Sequence, residues 1–178
     1  MINEGKKFEQ DFYKSIPKYV LVKRLNDNAA SFSGGNNTRF SSNNECDYIL
    51  FNDNSRTFYG LELKSTKGTL TYWSDRFETK EKKQSFNIRK CQIQGLMKWK
   101  SHNGIFGFII NFRQYDNRTF FVSIDNFINY TSLLSKKSLN INDILNMNPI
   151  EIDNKKIKKR YRYDIEDFFV KVEDVKND

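Results

Sequence analysis

The stretch DYILFNDNSRTFYGLELKST, residues 47–66, reads as two β-strands joined by a tight turn. Asp47 to Phe51 is apolar and β-prone, Asn52-Asp53-Asn54-Ser55 supplies turn chemistry, and Thr57 to Leu63 resumes the strand pattern. An antiparallel pair is predicted. Alternation with period two puts Glu62 and Lys64 on one face, with Tyr59, Leu61 and Leu63 on the other. Asp47 opens the first strand and Glu62-Leu63-Lys64 closes the second, so pairing brings two carboxylates and an ammonium toward one end of the sheet. Such a cluster suits magnesium, which takes oxygen ligands, commonly one or two carboxylates completed by water and phosphate, while a nearby lysine orients or deprotonates the attacking water. The same residues also fit a cross-strand salt bridge, and both readings stand at this point.

A Glu-x-Lys tripeptide carries little weight alone, because it recurs at Glu4-Gly5-Lys6, Glu78-Thr79-Lys80 and Glu81-Lys82-Lys83. Only the Glu62 copy lies in a strand pattern. The other three read as solvated charges.

Upstream, Phe8, Phe12 and Ile16 recur every four residues in a segment dense in charge. This predicts an amphipathic first helix ending at Pro17, with Glu9 beside its apolar stripe. Tyr19 to Leu25 predicts a short strand. The Asn-, Ser- and Gly-rich segment from Asn26 to Asn44 reads as a flexible loop. With Gly34, Gly35 and Arg39 it is either an ordinary surface loop or a contact for DNA.

Downstream, Lys64 to Lys83 is polar and charged, and Phe86 to Trp99 places Ile88, Cys91, Gly95, Leu96 and Trp99 on one helical face, with Gln92 and Gln94 on or near its margins. Strands are predicted at Ile105 to Phe112 and Thr119 to Ile124, joined by a turn at Asp116-Asn117. Asp125 is the expected N-cap of a helix running through Leu134. A short helix near Ile141 to Met147, a basic run from Lys155 to Arg162 and an apolar segment from Ile165 to Val172 follow. With no repeat and no linker, one α/β domain spanning residues 1–178 is expected, a mixed sheet flanked by helices.

Composition narrows the chemistry. Thirty basic against 22 acidic residues give a formal charge of +8, which favours a polyanionic partner, nucleic acid or an anionic membrane surface, or simply keeps the protein in solution. No stretch reaches the roughly 18 apolar residues that cross a bilayer, so a soluble, unexported, cytoplasmic protein is expected. Cys46 and Cys91 are far apart and match no zinc spacing, so free thiols in a reducing compartment are expected. A solitary His102 excludes zinc sites with several His ligands and nucleophiles activated by a dedicated His. Carboxylate, lysine and hard-metal chemistry remain.

The order of these residues carries a resemblance: an initial helix with Gly5 and Glu9, then Asp47-Tyr48, then Glu62-Leu63-Lys64-Ser65-Thr66, then a helix bearing Gln92. The chain resembles the PD-(D/E)XK nucleases, within them the RecU family of Holliday junction resolvases and, more loosely, the archaeal resolvases. Phe106 to Phe112, Phe120 to Phe127 and Tyr163-Asp164-Ile165 extend the likeness over most of the chain.

The resemblance implies a restriction-endonuclease-like fold, Asp47 and Glu62 as metal ligands, Lys64 as the water-positioning group, Glu9 as a supporting acid and Gln92 as an accessory active-site residue. It also implies Mg2+, with Mn2+ as a substitute, four-way DNA junctions as substrate and a homodimer to match a two-fold junction. Three features depart from the family pattern. Cys91 stands where a His usually precedes the glutamine, no proline precedes Asp47, and only the Asn26 to Asn44 loop occupies the place of a long basic stalk.

Candidate DNA contacts are Arg39, Arg76 and the run Lys155, Lys156, Lys158, Lys159, Arg160 and Arg162, whose single sign suits a phosphate backbone or a solvated face. Tyr72 and Trp73 are candidates for stacking on bases or for ordinary packing. Two other functions fit the same residues: a restriction- or repair-type nuclease of the same chemistry, and a DNA-binding protein that keeps the fold without cutting.

Overall fold

The computed structural model describes residues 3–25, 44–77 and 86–177. Arg39, nearly all of the Asn26 to Asn44 loop, and the Glu78 and Glu81 tripeptides lie outside the described residues. The first helix, α1 (Glu4–Tyr13), is capped by Asn3, whose side chain accepts from the Gly5 and Lys6 amides. It stops earlier than periodicity predicts, leaving Ile16 outside. Pro17 disfavours helical geometry at the residue before it, and the Ser15 and Ile16 amides close four-residue turns onto Phe12 and Tyr13 instead.

β1 (Val20–Arg24), β2 (Tyr48–Asn52) and β3 (Thr57–Thr66) form an antiparallel meander. The β2–β3 turn holds Arg56 at φ 54°. β4 (Thr69–Thr71) leads into a 3-10 turn at Asp75–Phe77, and α2 (Lys90–Trp99) precedes β5 (Gly104–Phe112) and β6 (Arg118–Ser123). α3 (Ile124–Leu133), β7 (Ser138–Asn140), α4 (Ile141–Leu145), β8 (Ile150–Ile152), the hairpin β9 (Asn154–Ile157) and β10 (Arg160–Tyr163), and α5 (Ile165–Asn177) complete the chain.

The central sheet has the order β1-β2-β3-β5-β6-β8, with β3 and β5 parallel and the remaining pairs antiparallel. This is the mixed α/β architecture, helices against a mixed central sheet, that the sequence predicts. One face carries Phe106, Phe108, Ile110 and Phe112 of β5 against α2, α3 and α4. The other carries Tyr59, Leu61 and Leu63 of β3 against Phe8 and Phe12 of α1 and Phe168 and Phe169 of α5. Each fully buried Phe or Leu contributes roughly 1.5–3 kcal/mol, so both layers stabilise the sheet. No described helix is long and apolar enough to cross a membrane.

Two predicted boundaries shift for identifiable reasons. Ile88 does not start α2: its amide donates to the Thr71 carbonyl at 2.9 Å and its carbonyl accepts from Trp73, a bridge that holds it extended. The cap of α3 is Ser123, whose Oγ accepts from the Asn126 amide at 3.2 Å, whereas Asp125 lies one residue inside the helix and pairs with Lys100.

Candidate active site

The β2–β3 register pairs Tyr48 with Leu61, so Asp47 lies across from Glu62 at the end of the ladder. The Asp47 amide donates to the Leu61 carbonyl at 3.1 Å, and its carbonyl accepts from Leu25 at 2.8 Å. Its carboxylate accepts from the Leu63 amide at 2.8 Å through Oδ2. Glu62, only 2% exposed, is a charged side chain on the face covered by α2. Alternation along β3 delivers it there with half-buried Lys64, whose Nζ lies 2.8 Å from Glu62 Oε1.

Gln92 closes the arrangement. It sits at the third position of α2, where Oε1 accepts from the Arg89 amide at 2.9 Å and Nε2 donates to Glu62 Oε1. One side chain therefore caps the helix and orients a buried carboxylate. Periodicity places Gln92 on the helix margin; in the structure it is 2% exposed, because the buried face of α2 is Gln92, Ile93, Gly95 and Leu96 and Ile88 lies outside the helix. Lys64 and Gln92 both contact Oε1, so Oε2 takes part in neither bond.

Burial pushes the Glu62 carboxyl up to about 7, with Lys64 opposing the rise and the Asp47 charge adding to it. Arg89, exposed at the start of α2, is close enough to favour the ionised form, and it is a residue the sequence reading missed. The Cys46 thiol is pushed up to about 12, mainly by burial and then by Glu62 and Asp47, so it stands protonated beside the acids.

The raised Glu62 value has a measurable consequence. Its folded value lies above the ordinary 4.5, so the native state holds this proton more tightly than the unfolded chain does. The stability from this group is complete below about 4.5 and is lost as pH rises through about 7. In EDTA, Glu62→Gln is expected to be more stable than the wild type at pH 8.5 by up to roughly 3 kcal/mol, with the gap closing by pH 4.5. Denaturant melts of both proteins across that range check it; a gap independent of pH would contradict the assignment.

Among the described residues, no three or more His, Cys, Asp and Glu side chains form a ready-made metal cage. The donor set at the end of β3 is two opposed carboxylates in hydrogen-bonded positions, with like charge disfavouring joint ionisation. Hard oxygen donors of this kind fit a divalent cation that keeps water and phosphate among its ligands. A broad cleft along β1, lined by Tyr13, Pro17, Tyr19, Leu21 and Phe51, holds no such pair of acids. Chemistry rather than concavity singles out the Glu62 site.

The other sequence candidates are distributed as follows. Glu9 is on α1, which packs on the opposite face of the sheet, and its carboxylate pairs with Arg24 at 2.5 Å. Arg76 donates to the Thr131 and Leu134 carbonyls at 2.6 and 2.7 Å, so it caps the end of α3. Tyr72 is buried, its hydroxyl donating to the Lys136 carbonyl at 2.9 Å, and the Trp73 ring lies 4.5 Å beneath Lys90.

The basic run forms the β9–β10 hairpin, with Lys155, Lys156, Lys158 and Lys159 exposed. Arg160 turns inward and pairs with buried Asp11 at 2.5 Å, and Arg162 approaches the same carboxylate at 4.0 Å. The run is therefore an exposed lysine tip on an arginine-anchored base. Both cysteines are free thiols.

No family model and no curated protein matches the chain. Among solved structures it is similar to Archaeoglobus fulgidus Hjc, a Holliday junction resolvase from an archaeal hyperthermophile, with 13% identity and a TM-score of 0.44 over 84% of this chain and 92% of that one. At that distance the likeness assigns no activity, and the chemistry must come from the site's own residues.

Proposed function

We propose that the protein is a divalent-metal-dependent endonuclease whose substrate is branched DNA, foremost the four-way junction. The observation that carries this is Glu62: a nearly inaccessible carboxylate opposite Asp47, gripped by Gln92 and set beside Lys64. An ion pair along β3 would account for Lys64 alone. It would not account for a second carboxylate brought against a buried one, which raises the cost of the charge already there. The resemblance to RecU-like resolvases, carried by Gly5, Glu9, Asp47, Glu62, Lys64 and Gln92 in that order, supports the same chemistry and suggests the substrate.

Asp47 and Glu62 would hold the cation, Mg2+ or Mn2+, which when bound supplies Lewis acidity at the scissile phosphate and an acidified water. The chain supplies positioning. The Leu63 amide fixes Asp47 and the Gln92 amide fixes Glu62, so neither carboxylate has to reorganise during the reaction. Lys64 places a positive charge where it orients the attacking oxygen and offsets charge developing on phosphate. Water adds to phosphorus as the 3′ oxygen leaves, giving 5′-phosphate ends. A homodimer would present two such sites to the two-fold junction.

Junction affinity is assigned to the exposed lysines of the β9–β10 hairpin. Replacing Lys158 and Lys159 by Ala is expected to leave the melting temperature unchanged and to flatten the dependence of log affinity on log salt by up to about 1.8, two lost phosphate contacts. Arg160→Ala acts differently, because it strips the main partner from buried Asp11 and should cost roughly 1–3 kcal/mol of stability. Gel shifts at several salt concentrations with melts of both variants separate the two effects. An unchanged slope for the lysine pair would remove the hairpin from the DNA interface.

A further inference from the structure

Gly95 sits one turn beyond Gln92 on the buried face of α2. A Cβ there would lie 2.3 Å from Glu45 Cβ, 2.6 Å from its Cγ and 3.0 Å from its Cα, so the Glu45 backbone rests directly on the helix. Glycine in a helix interior costs about 0.5–1 kcal/mol relative to alanine, so its presence fits a need for close approach rather than for helix formation. Glu45 is two residues before Asp47, and that segment has little room to retreat. The Asp47 amide is tied to β3 and its carbonyl to Leu25, while Cys46 is 1% exposed beneath them. The same helix holds Glu62 through Gln92. Positions three apart are about 4.5 Å apart along a helix axis, comparable with the 4.7–4.9 Å between neighbouring strands.

We propose that Gly95 is a positioning residue: its bare backbone seats Glu45 on α2, and this contact, with the Gln92–Glu62 bond, keeps the Asp47 and Glu62 carboxylates at the separation that β2–β3 pairing sets. The inference rests on the nuclease reading above and adds to it the element that keeps the two acids at that spacing. A side chain at position 95 must push either the Glu45–Asp47 segment away or the helix off Glu62. Either movement changes the gap between the acids without touching them, and a displacement of about 1 Å at a catalytic site costs on the order of a hundredfold in rate.

The test uses the full chain and four readouts: magnesium affinity of the DNA-free protein by calorimetry, cleavage of a labelled four-way junction against magnesium, junction affinity by gel shift in EDTA, and the melting temperature. Gly95→Ala is expected to cut roughly a hundredfold more slowly and to bind magnesium more weakly, with junction affinity in EDTA unchanged. Adding Glu45→Gly removes the opposing Cβ and Cγ, so the double variant is expected to recover most of the rate and of the magnesium affinity. Wild-type behaviour of Gly95→Ala would overturn the proposal, as would a double variant no better than the single one. If Gly95→Ala alone does not fold, the double variant decides: folded and cutting supports the contact, unfolded overturns it. A wild type that neither binds magnesium nor cuts would instead overturn the nuclease assignment beneath it.

Discussion

Glu62→Gln is expected to cut a four-way junction at least about a thousandfold more slowly than the wild type in magnesium, because a metal-binding carboxylate supports several kcal/mol of charge stabilisation at the reacting phosphate. The substitution is nearly isosteric, and the new side chain keeps an oxygen to accept from Gln92, so the packing of α2 on β3 should survive. The same protein should be the more stable of the two above neutral pH in EDTA, since the buried charge that Asp47 disfavours is gone. Loss of activity with gain of stability is what a carboxylate held against its solvation preference produces. Wild-type cleavage by Glu62→Gln would reduce Glu62 to an ion-pair partner of Lys64.

Asp47→Asn is expected to separate binding from cutting. It removes one formal negative charge at nearly constant shape, and the amide oxygen can still accept from the Leu63 amide, so the end of the β2–β3 ladder should stay closed. Affinity for a branched polyanion comes from many dispersed basic contacts, assigned in part to the hairpin lysines under the proposal above. Junction affinity should therefore hold, or rise slightly as repulsion of phosphate falls, while cleavage drops to background. Gel shifts in calcium and cleavage in magnesium on one labelled junction measure both. Equal cleavage by the two proteins would take Asp47 out of the site and favour a DNA-binding protein without nuclease activity.

What was legible in the sequence was what local pattern and short-range pairing determine. The alternation in residues 57–64 and the turn after Asn52 place Asp47 across from Glu62, and the structure keeps that register. What escaped depends on partners distant along the chain. Arg160 reads as one cation in a run, yet it pairs with Asp11, 149 residues earlier. Arg76 reads as an exposed cation and caps α3 through carbonyls 55 and 58 residues away. Gln92 looked marginal because Ile88 was counted in the helical stripe; Ile88 is extended in a bridge to Tyr72, and the buried face of α2 is Gln92, Ile93, Gly95 and Leu96, with Gln92 bonded to Glu62. Gly95 fitted an apolar stripe, and nothing near it in sequence announces Glu45. Composition shows only a net charge of +8, which suits a polyanion or a solvated surface equally, while the branched substrate enters through the RecU-like order of motifs and awaits its own measurement.

That measurement is incubation of the wild-type protein with a labelled four-way junction, a fork and a linear duplex, each in magnesium and in EDTA. A divalent-metal-dependent junction nuclease would cleave the junction in magnesium to 5′-phosphate ends, with little or no cleavage of the duplex and none of any substrate in EDTA. Cleavage that persists in EDTA, or the absence of cleavage of every substrate in both magnesium and manganese, would contradict that assignment.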